Sequence, residues 1–267
     1  MPELPEVQTV VNTLQLIKNK DIVFFRNYWE KILFSKNYNY LFQTIKFKRI
    51  LSVKRIGKYI IIKLNNNYLA FHLRMTGYLY ATKELKKNKH IQCYFKFSDN
   101  SYLVYEDIRK FGGFYYLENL NIIKKKLGID PYSKLFTFQW LKTNLNCKNR
   151  QMKALLLDQK FITGLGNIYV DEILWKSKIH PLKKAKQLNQ TNIDNLFNSI
   201  RPILDESIKF HGTTIINFKF DNMKTGNYRT KLNVYGRKNE QCNICETTII
   251  KIKVAGRGTY ICKECQP

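Results

Sequence analysis

The sequence predicts an α+β chain of more than one domain: a β-sandwich or barrel-like sheet, then a helical region, then a small hairpin held by cysteines. Three observations carry this. Between about residues 22 and 118, short β-branched and aromatic runs alternate with polar turns, the pattern of antiparallel strands packed on one face. From about residue 135, apolar residues recur at helical spacing. The end of the chain holds two Cys-x2-Cys pairs. At 267 residues, a prior of one domain per roughly 150 residues gives two.

The chain opens Met1-Pro2-Glu3-Leu4-Pro5-Glu6. Behind it Val7, Val10, Val11, Leu14 and Ile17 form one apolar stripe of a helix. Pro5 falls near the first turn, where its missing N–H is harmless. Glu3 and Glu6 suit the positive end of the helix dipole. Such a helix anchors the start of the chain, and anchoring matters for what the start can do. Proline at position 2 is small enough for the initiator methionine to be removed, leaving Pro2 as a secondary amine. An α-amino group titrates near about 7.7–8.0, against about 10.4 for lysine, so a useful fraction is neutral at pH 7. A neutral amine can attack an electrophilic sugar carbon and form an iminium. Glu3 beside it is a candidate general acid/base.

Tyr59–Leu64 reads as a strand, Asn65-Asn66-Asn67 as a turn, and Tyr68–Met75 as an alternating strand. Ile91–Phe97 and Tyr102–Tyr105 flank a polar turn and predict a hairpin. Lys58, just before a strand, is by position alone a solvated charge. Phe111, between Arg109-Lys110 and two glycines, is an aromatic on a loop flanked by cations. That suits a side chain inserted into a base stack.

Residues 119–134 read as a linker, with Pro131 breaking any helix. Met152–Gln159 and Ile168–Lys178 read as helices around Gly164-Leu165-Gly166-Asn167, a tight helix–turn–helix. Asn167 is the expected N-cap, and the N–H groups behind it make an anion site. A further helix covers about Asn192–Lys209. Gly212–Arg237 lacks periodicity and reads mostly as a loop that orders on ligand binding.

Cys242-x2-Cys245 and Cys262-x2-Cys265 enclose 16 residues, the spacing of a four-thiolate zinc site. Four cysteines close the coordination sphere, so the metal is structural. Zinc can contribute on the order of 10 kcal/mol to so small a unit. Between the pairs the pattern predicts a hairpin with Arg257 at its tip.

Lys+Arg of 46 against Asp+Glu of 20 leaves a net charge of +26. That excess predicts a polyanionic partner with salt-dependent affinity, without separating DNA, RNA and anionic membrane. No apolar run is long enough for a span, and the start lacks a signal peptide's apolar core. The expectation is a soluble, cytoplasmic, nucleoid-associated monomer.

Taken in order, Pro2-Glu3-Leu4-Pro5-Glu6, Gly57-Lys58-Tyr59, His72–Gly77, Asp107-x-Arg109-Lys110-Phe111-Gly112, Gly164-x-Gly166-Asn167-Ile168-Tyr169, Asn233–Arg237 and the cysteine hairpin resemble bacterial formamidopyrimidine-DNA glycosylase over the whole chain. The resemblance implies a bifunctional glycosylase/AP lyase that removes oxidised purines from damaged duplex DNA. It implies an N-terminal β-sandwich domain over 2–118, a linker over 119–134, a helix–two-turn–helix domain over 135–237 and a zinc finger over 238–267. DNA would lie between the two halves. Pro2 would be the Schiff-base nucleophile, Glu3 the proton donor and acceptor, and Lys58 a phosphate contact assisting protonation. Met75, Arg109 and Phe111 would fill the gap left by the extruded nucleotide. His72, Asn167 and Arg257 would hold the bent backbone, Arg257 being counted with the catalytic group. Lys110 and Lys153 would join the DNA contacts.

The chain departs from the family pattern at Ile108, where proline is usual, and at Lys110, which lacks the planar fork of the usual arginine. The Thr213–Lys231 stretch, where the family closes over the flipped base, matches poorly. Two other readings stand beside this one: an endonuclease VIII-like enzyme for oxidised pyrimidines, and a non-catalytic zinc-ribbon protein that binds nucleic acid. Leu4 and Phe111 favour the purine enzyme.

Overall fold

The computed structural model describes residues 1–35, 38–86, 88–213 and 226–267. They form two compact units, one of Met1–Lys125 with His211–Gly226, the other of Lys126–Phe210 with Asn227–Pro267.

The first unit runs α1 (Leu4–Thr13), β1 (Ile22–Asn27), α2 (Tyr38–Thr44), β2 (Ile50–Ile56), β3 (Tyr59–Leu64), β4 (Tyr68–His72), β5 (Gly77–Thr82), β6 (Ile91–Phe97), β7 (Tyr102–Asp107), β8 (Gly113–Leu117) and α3 (Asn121–Lys124). The strands make two four-stranded antiparallel sheets, ordered β1-β6-β7-β5 and β2-β3-β4-β8. Alternate residues of both sheets meet in one core: Phe71 touches Phe95 edge-on at 6.3 Å and Phe114 at 4.8 Å. This is the sandwich the alternation predicts. The α1 stripe joins the same core, Val7, Val10 and Val11 being buried, and Leu14 and Ile17 continue it in a 3₁₀ turn.

Two local readings change in this unit. The strand expected over Tyr68–Met75 ends at His72, because Arg74 takes a left-handed turn (φ 53°) that carries the chain into the other sheet as β5. The turn is so tight that a Cβ on Gly77 would meet the Leu73 carbonyl at 2.4 Å. Helix α2 also interrupts what reads as continuous β structure. Its tyrosines and phenylalanine give a strand composition, which tertiary packing overrides.

The second unit contains α4 (Phe138–Asn146), α5 (Met152–Leu156), α6 (Asn167–Lys176), α7 (Gln190–Lys209) and the hairpin β9 (Ile250–Val254)–β10 (Arg257–Ile261). Helix α5 stops three residues short of the expected Gln159. There Gln159 closes a turn instead, its amide accepting from Gly164 N–H (2.9 Å) and donating to the Leu165 carbonyl (2.8 Å). Gly166, not Asn167, caps α6. Ile168 to Trp175 are buried all round the helix, so α6 is the centre of this unit. The cap of α7 is Asn189, which accepts from Asn192 N–H at 2.8 Å. Ala255 (φ 50°) and Gly256 (φ 70°) make the two-residue hairpin turn. Arg257 therefore stands at the first position of β10, opposite Val254, and not at the tip.

Candidate active site

The N-terminus is pinned where the sequence predicts. Pro2 is buried, and Glu3 and Glu6 are 3 % and 2 % exposed. One Glu6 oxygen accepts from the Glu3 N–H at 2.9 Å, and the Glu3 carbonyl accepts from Val7 N–H at 3.0 Å. The other Glu6 oxygen accepts from the Thr213 N–H (2.8 Å) and hydroxyl (3.0 Å). Gly212 (φ 82°) permits that approach, since a Cβ there would stand 2.8 Å from the same oxygen. Glu6 thus ties the N-terminal segment to the chain at residue 213.

Burial holds the Met1 α-amine below its usual range, and Lys58 pushes it lower, while Glu3 and Glu6 pull it up. Lys58 is buried in the two-residue turn between β2 and β3, with Gly57 at φ 57°. The register sets Tyr59 opposite His72, and Lys58 and Arg74 add to the burial that drives His72 down to about 3. His72 is therefore neutral at pH 7. Its Nδ1 accepts from Arg74 N–H at 3.1 Å, which leaves the proton on Nε2 as a donor.

The two loop tips meet through Asp107, a residue that sequence reasoning quoted only as part of a motif. It is fully buried. One oxygen accepts from the Thr76 hydroxyl (2.5 Å) and Arg109 N–H (3.1 Å), the other from Phe111 N–H (3.0 Å) and Gly112 N–H (2.8 Å). The carboxylate gathers the loop's N–H groups and turns its side chains outward. Met75 is 45 % and Phe111 54 % exposed, so the aromatic does not fold back onto the core. The Arg109 guanidinium lies 4.6 Å over the Phe111 ring. Lys110 (φ 56°) reaches toward Trp29, 5.9 Å from its ring.

In the second unit the Asn167 amide donates to the Gly258 carbonyl at 3.0 Å, next to exposed Arg257. Lys153 corrects an expectation. A DNA contact needs an accessible cation, whereas the Lys153 side chain is wholly buried and paired with Asp171 at 2.5 Å. The other Asp171 oxygen accepts from Tyr260 N–H at 3.0 Å. This buried pair fastens α6 to β10. Glu172, also buried, accepts from the N–H groups of Asn233, Val234 and Tyr235, each at 2.9 Å. These internal braces had one sequence signal, acidic residues amid an apolar helix, which on its own names no partner.

Cys242, Cys245, Cys262 and Cys265 bring their sulfurs within 4.8 Å of one another, with pairs at 3.3, 3.5 and 3.8 Å. A tetrahedral zinc with Zn–S of about 2.3 Å has sulfur–sulfur edges of about 3.8 Å. The set fits one structural zinc ion, with every position filled by thiolate. The expected Thr213–Lys231 loop lies, over residues 214–225, outside the described residues.

Comparisons with known proteins agree with this geometry. Residues 1–114 match the formamidopyrimidine-DNA glycosylase N-terminal domain, 127–219 the formamidopyrimidine-DNA glycosylase H2TH domain, and 239–267 a zinc finger found in FPG and IleRS. The chain is 41 % identical to formamidopyrimidine-DNA glycosylase of Lactobacillus helveticus, covering 100 % of this chain and 99 % of that one. The Mycoplasma pneumoniae protein of that name is 39 % identical over the same shares. Among solved structures, a Lactococcus lactis FPG variant complexed with Fapy-dG-containing DNA superposes with TM-score 0.90 at 36 % identity, covering 99 % of each chain. MutM bound to DNA containing carbocyclic 8-oxo-G gives TM-score 0.90 at 37 % identity, again over 99 % of both. Among the described residues, no helix is long and apolar enough to cross a membrane.

Proposed function

The chain belongs to the formamidopyrimidine-DNA glycosylase family, and we propose that it excises oxidised purines, 8-oxoguanine and formamidopyrimidines, from duplex DNA in base-excision repair. The observation that carries this is the buried start of the chain, where Pro2, Glu3 and Lys58 are all buried and both charged groups are close enough to act on the N-terminal amine.

With Met1 removed, the Pro2 nitrogen attacks C1′ of the damaged nucleotide, and the glycosidic electrons leave with the base. Glu3 supplies the proton that opens the sugar at O4′, giving an iminium between Pro2 and C1′. The iminium acidifies C2′–H. Loss of that proton expels the 3′ phosphate, and a second elimination expels the 5′ phosphate. Lyase activity thus follows from the amine nucleophile. Lys58 and His72 contact phosphate near the lesion, His72 as a neutral Nε2–H donor. Met75, Arg109 and Phe111 occupy the vacated stack, offsetting the few kcal/mol of base extrusion. Asn167 and Arg257 hold the backbone from the helical and zinc-finger parts, with Lys110 at the rim of the wedge loop. The division into 2–118, 119–134, 135–237 and 238–267 assigns one task to each part. Such an enzyme works as a monomer on the nucleoid in the cytoplasm.

The test is borohydride trapping on a duplex carrying 8-oxoguanine opposite cytosine. The expected result is a covalent protein–DNA adduct from the mature protein and none when Pro2 is blocked. Absence of adduct from protein shown to begin at Pro2 would sink the reading in favour of a nucleic-acid-binding module. Faster trapping on an oxidised pyrimidine would favour the endonuclease VIII-like alternative.

A further inference from the structure

Strand β1 is an outer strand of its sheet, bonded along its length to β6 alone among the described strands. The bond from Tyr28 N–H to the Gln92 carbonyl (2.8 Å) fixes the phase of the ladder. By alternation Arg26 and Phe24 also turn their peptide groups toward β6, and Phe25 and Asn27 turn theirs to the open side. There, past the two bonds that Ile22 makes with Phe47 and Lys48, no described backbone group pairs with them.

A groove of about 420 Å³ opens here, lined by Phe24, Phe25, Phe42 and Ile45. Arg26 and Lys46 stand on it as cations, and no carboxylate lines it. Phe24 (39 %), Phe42 (44 %) and the nearby Tyr28 (59 %) and Phe47 (78 %) are exposed. An open edge with exposed aromatics invites strand pairing; β1 carries a bulge between Ile22 and Phe24 and the charge of Arg26, and beyond the bulge Phe25 to Asn27 run in regular register. None of these residues belongs to the lesion chemistry described above.

We propose that this edge is a docking site for an extended peptide of a partner protein, which adds as a strand beside β1. Its backbone bonds to the Phe25 and Asn27 peptide groups. An apolar side chain enters the groove between Phe24 and Phe42, and flanking carboxylates meet Arg26 and Lys46. The mode is strand addition, with main-chain bonds giving affinity and alternate side chains giving selectivity. An open edge, an apolar wall and two unopposed cations select an acidic, amphipathic strand over nucleic acid, whose stacking would not use the edge.

The experiment uses the full chain and two fluorescein-labelled peptides, Glu-Phe-Glu-Leu-Glu and its lysine counterpart Lys-Phe-Lys-Leu-Lys, followed by anisotropy. The acidic peptide is expected to bind, and the basic one to bind at least about tenfold more weakly, as two lost charge contacts imply. Asn27→Pro removes an edge donor that pairs with nothing described and suits an edge strand. It should abolish binding while leaving 8-oxoguanine excision and melting temperature unchanged. Arg26→Ala with Lys46→Ala tests the charges without touching the backbone and should also weaken binding. Equal binding of the two peptides, no binding at millimolar acidic peptide, or retained affinity in both variants overturns the proposal. So does concentration-dependent self-association that Asn27→Pro removes, which would assign the edge to a second copy of this chain.

Discussion

Asp107→Ala isolates the carboxylate that presents the Phe111 loop, and so tests the proposed wedge. The carboxylate accepts from three loop N–H groups, on Arg109, Phe111 and Gly112, and from the Thr76 hydroxyl. Hydrogen bonds to a charged group are worth about 1.5–3 kcal/mol each where desolvated. Arg109 and Phe111 are exposed and can turn to water, so a net loss of about 3 kcal/mol of local order is the reasoned figure. At about 1.4 kcal/mol per decade, the loop would hold its present form about 100-fold less favourably. Asp107→Asn is milder. Its amide can occupy the Thr76 side, where the hydroxyl reverses to accept, so Arg109 N–H loses the carboxylate and keeps its 3.2 Å bond to the Thr76 hydroxyl, a penalty of about 1 kcal/mol. Single-turnover excision of 8-oxoguanine should therefore fall roughly 30–100-fold for alanine and about fivefold for asparagine. Scission of a preformed abasic site, which needs less extrusion, should fall less. If Asp107 acts through the wedge, Phe111→Ala should add little on top of Asp107→Ala. Additive losses, or a wild-type rate in Asp107→Ala, would refute the assignment.

Other outcomes follow from the same geometry. Glu6→Gln offers one acceptor and one donor where three N–H or O–H groups converge, so borohydride trapping should slow about tenfold or more. Thr213→Val, which keeps the N–H bond, should slow it less, and equal rates in both would count against Glu6 as the organiser. His72 titrates at about 3 in the fold against 6.5 unperturbed, so the unfolded chain takes the proton first. Its contribution to stability is intact above about pH 6.5 and declines as pH falls toward 3, by up to about 1.4 kcal/mol per unit. Imidazole NMR showing a His72 midpoint near 6.5 would contradict this. Chelating the zinc should unfold the β9–β10 unit and abolish DNA binding, with one zinc per chain released. Lys153→Met leaves Asp171 buried without its cation, and a loss of about 3–5 kcal/mol in stability is expected by denaturant titration.

Where apolar period and cysteine spacing carried the information, the sequence was read accurately. The α1 stripe, the β6–β7 hairpin and the four-sulfur cluster are each set by residues close in the chain. The errors have a common physical origin. The end of β4 depends on a left-handed Arg74, and the true position of Arg257 depends on Ala255 as well as Gly256 taking positive φ. Neither residue type announces such a turn. Lys153, expected among the DNA contacts, is buried because of a partner, Asp171, that lies 18 residues away. Asp107 and Glu6 likewise act through backbone N–H groups, which have no sequence signature at all.

Glu6 and its partner Thr213 lie 207 positions apart in the chain. At synthesis rates of about 5–20 residues per second, roughly 10–40 s pass between the emergence of the two. A nascent fragment thus carries its N-terminal segment before the clasp at Thr213 exists. The clasp on the start of the chain therefore closes only after some four-fifths of the chain has been made, so the first-synthesised segment is among the last to be fixed.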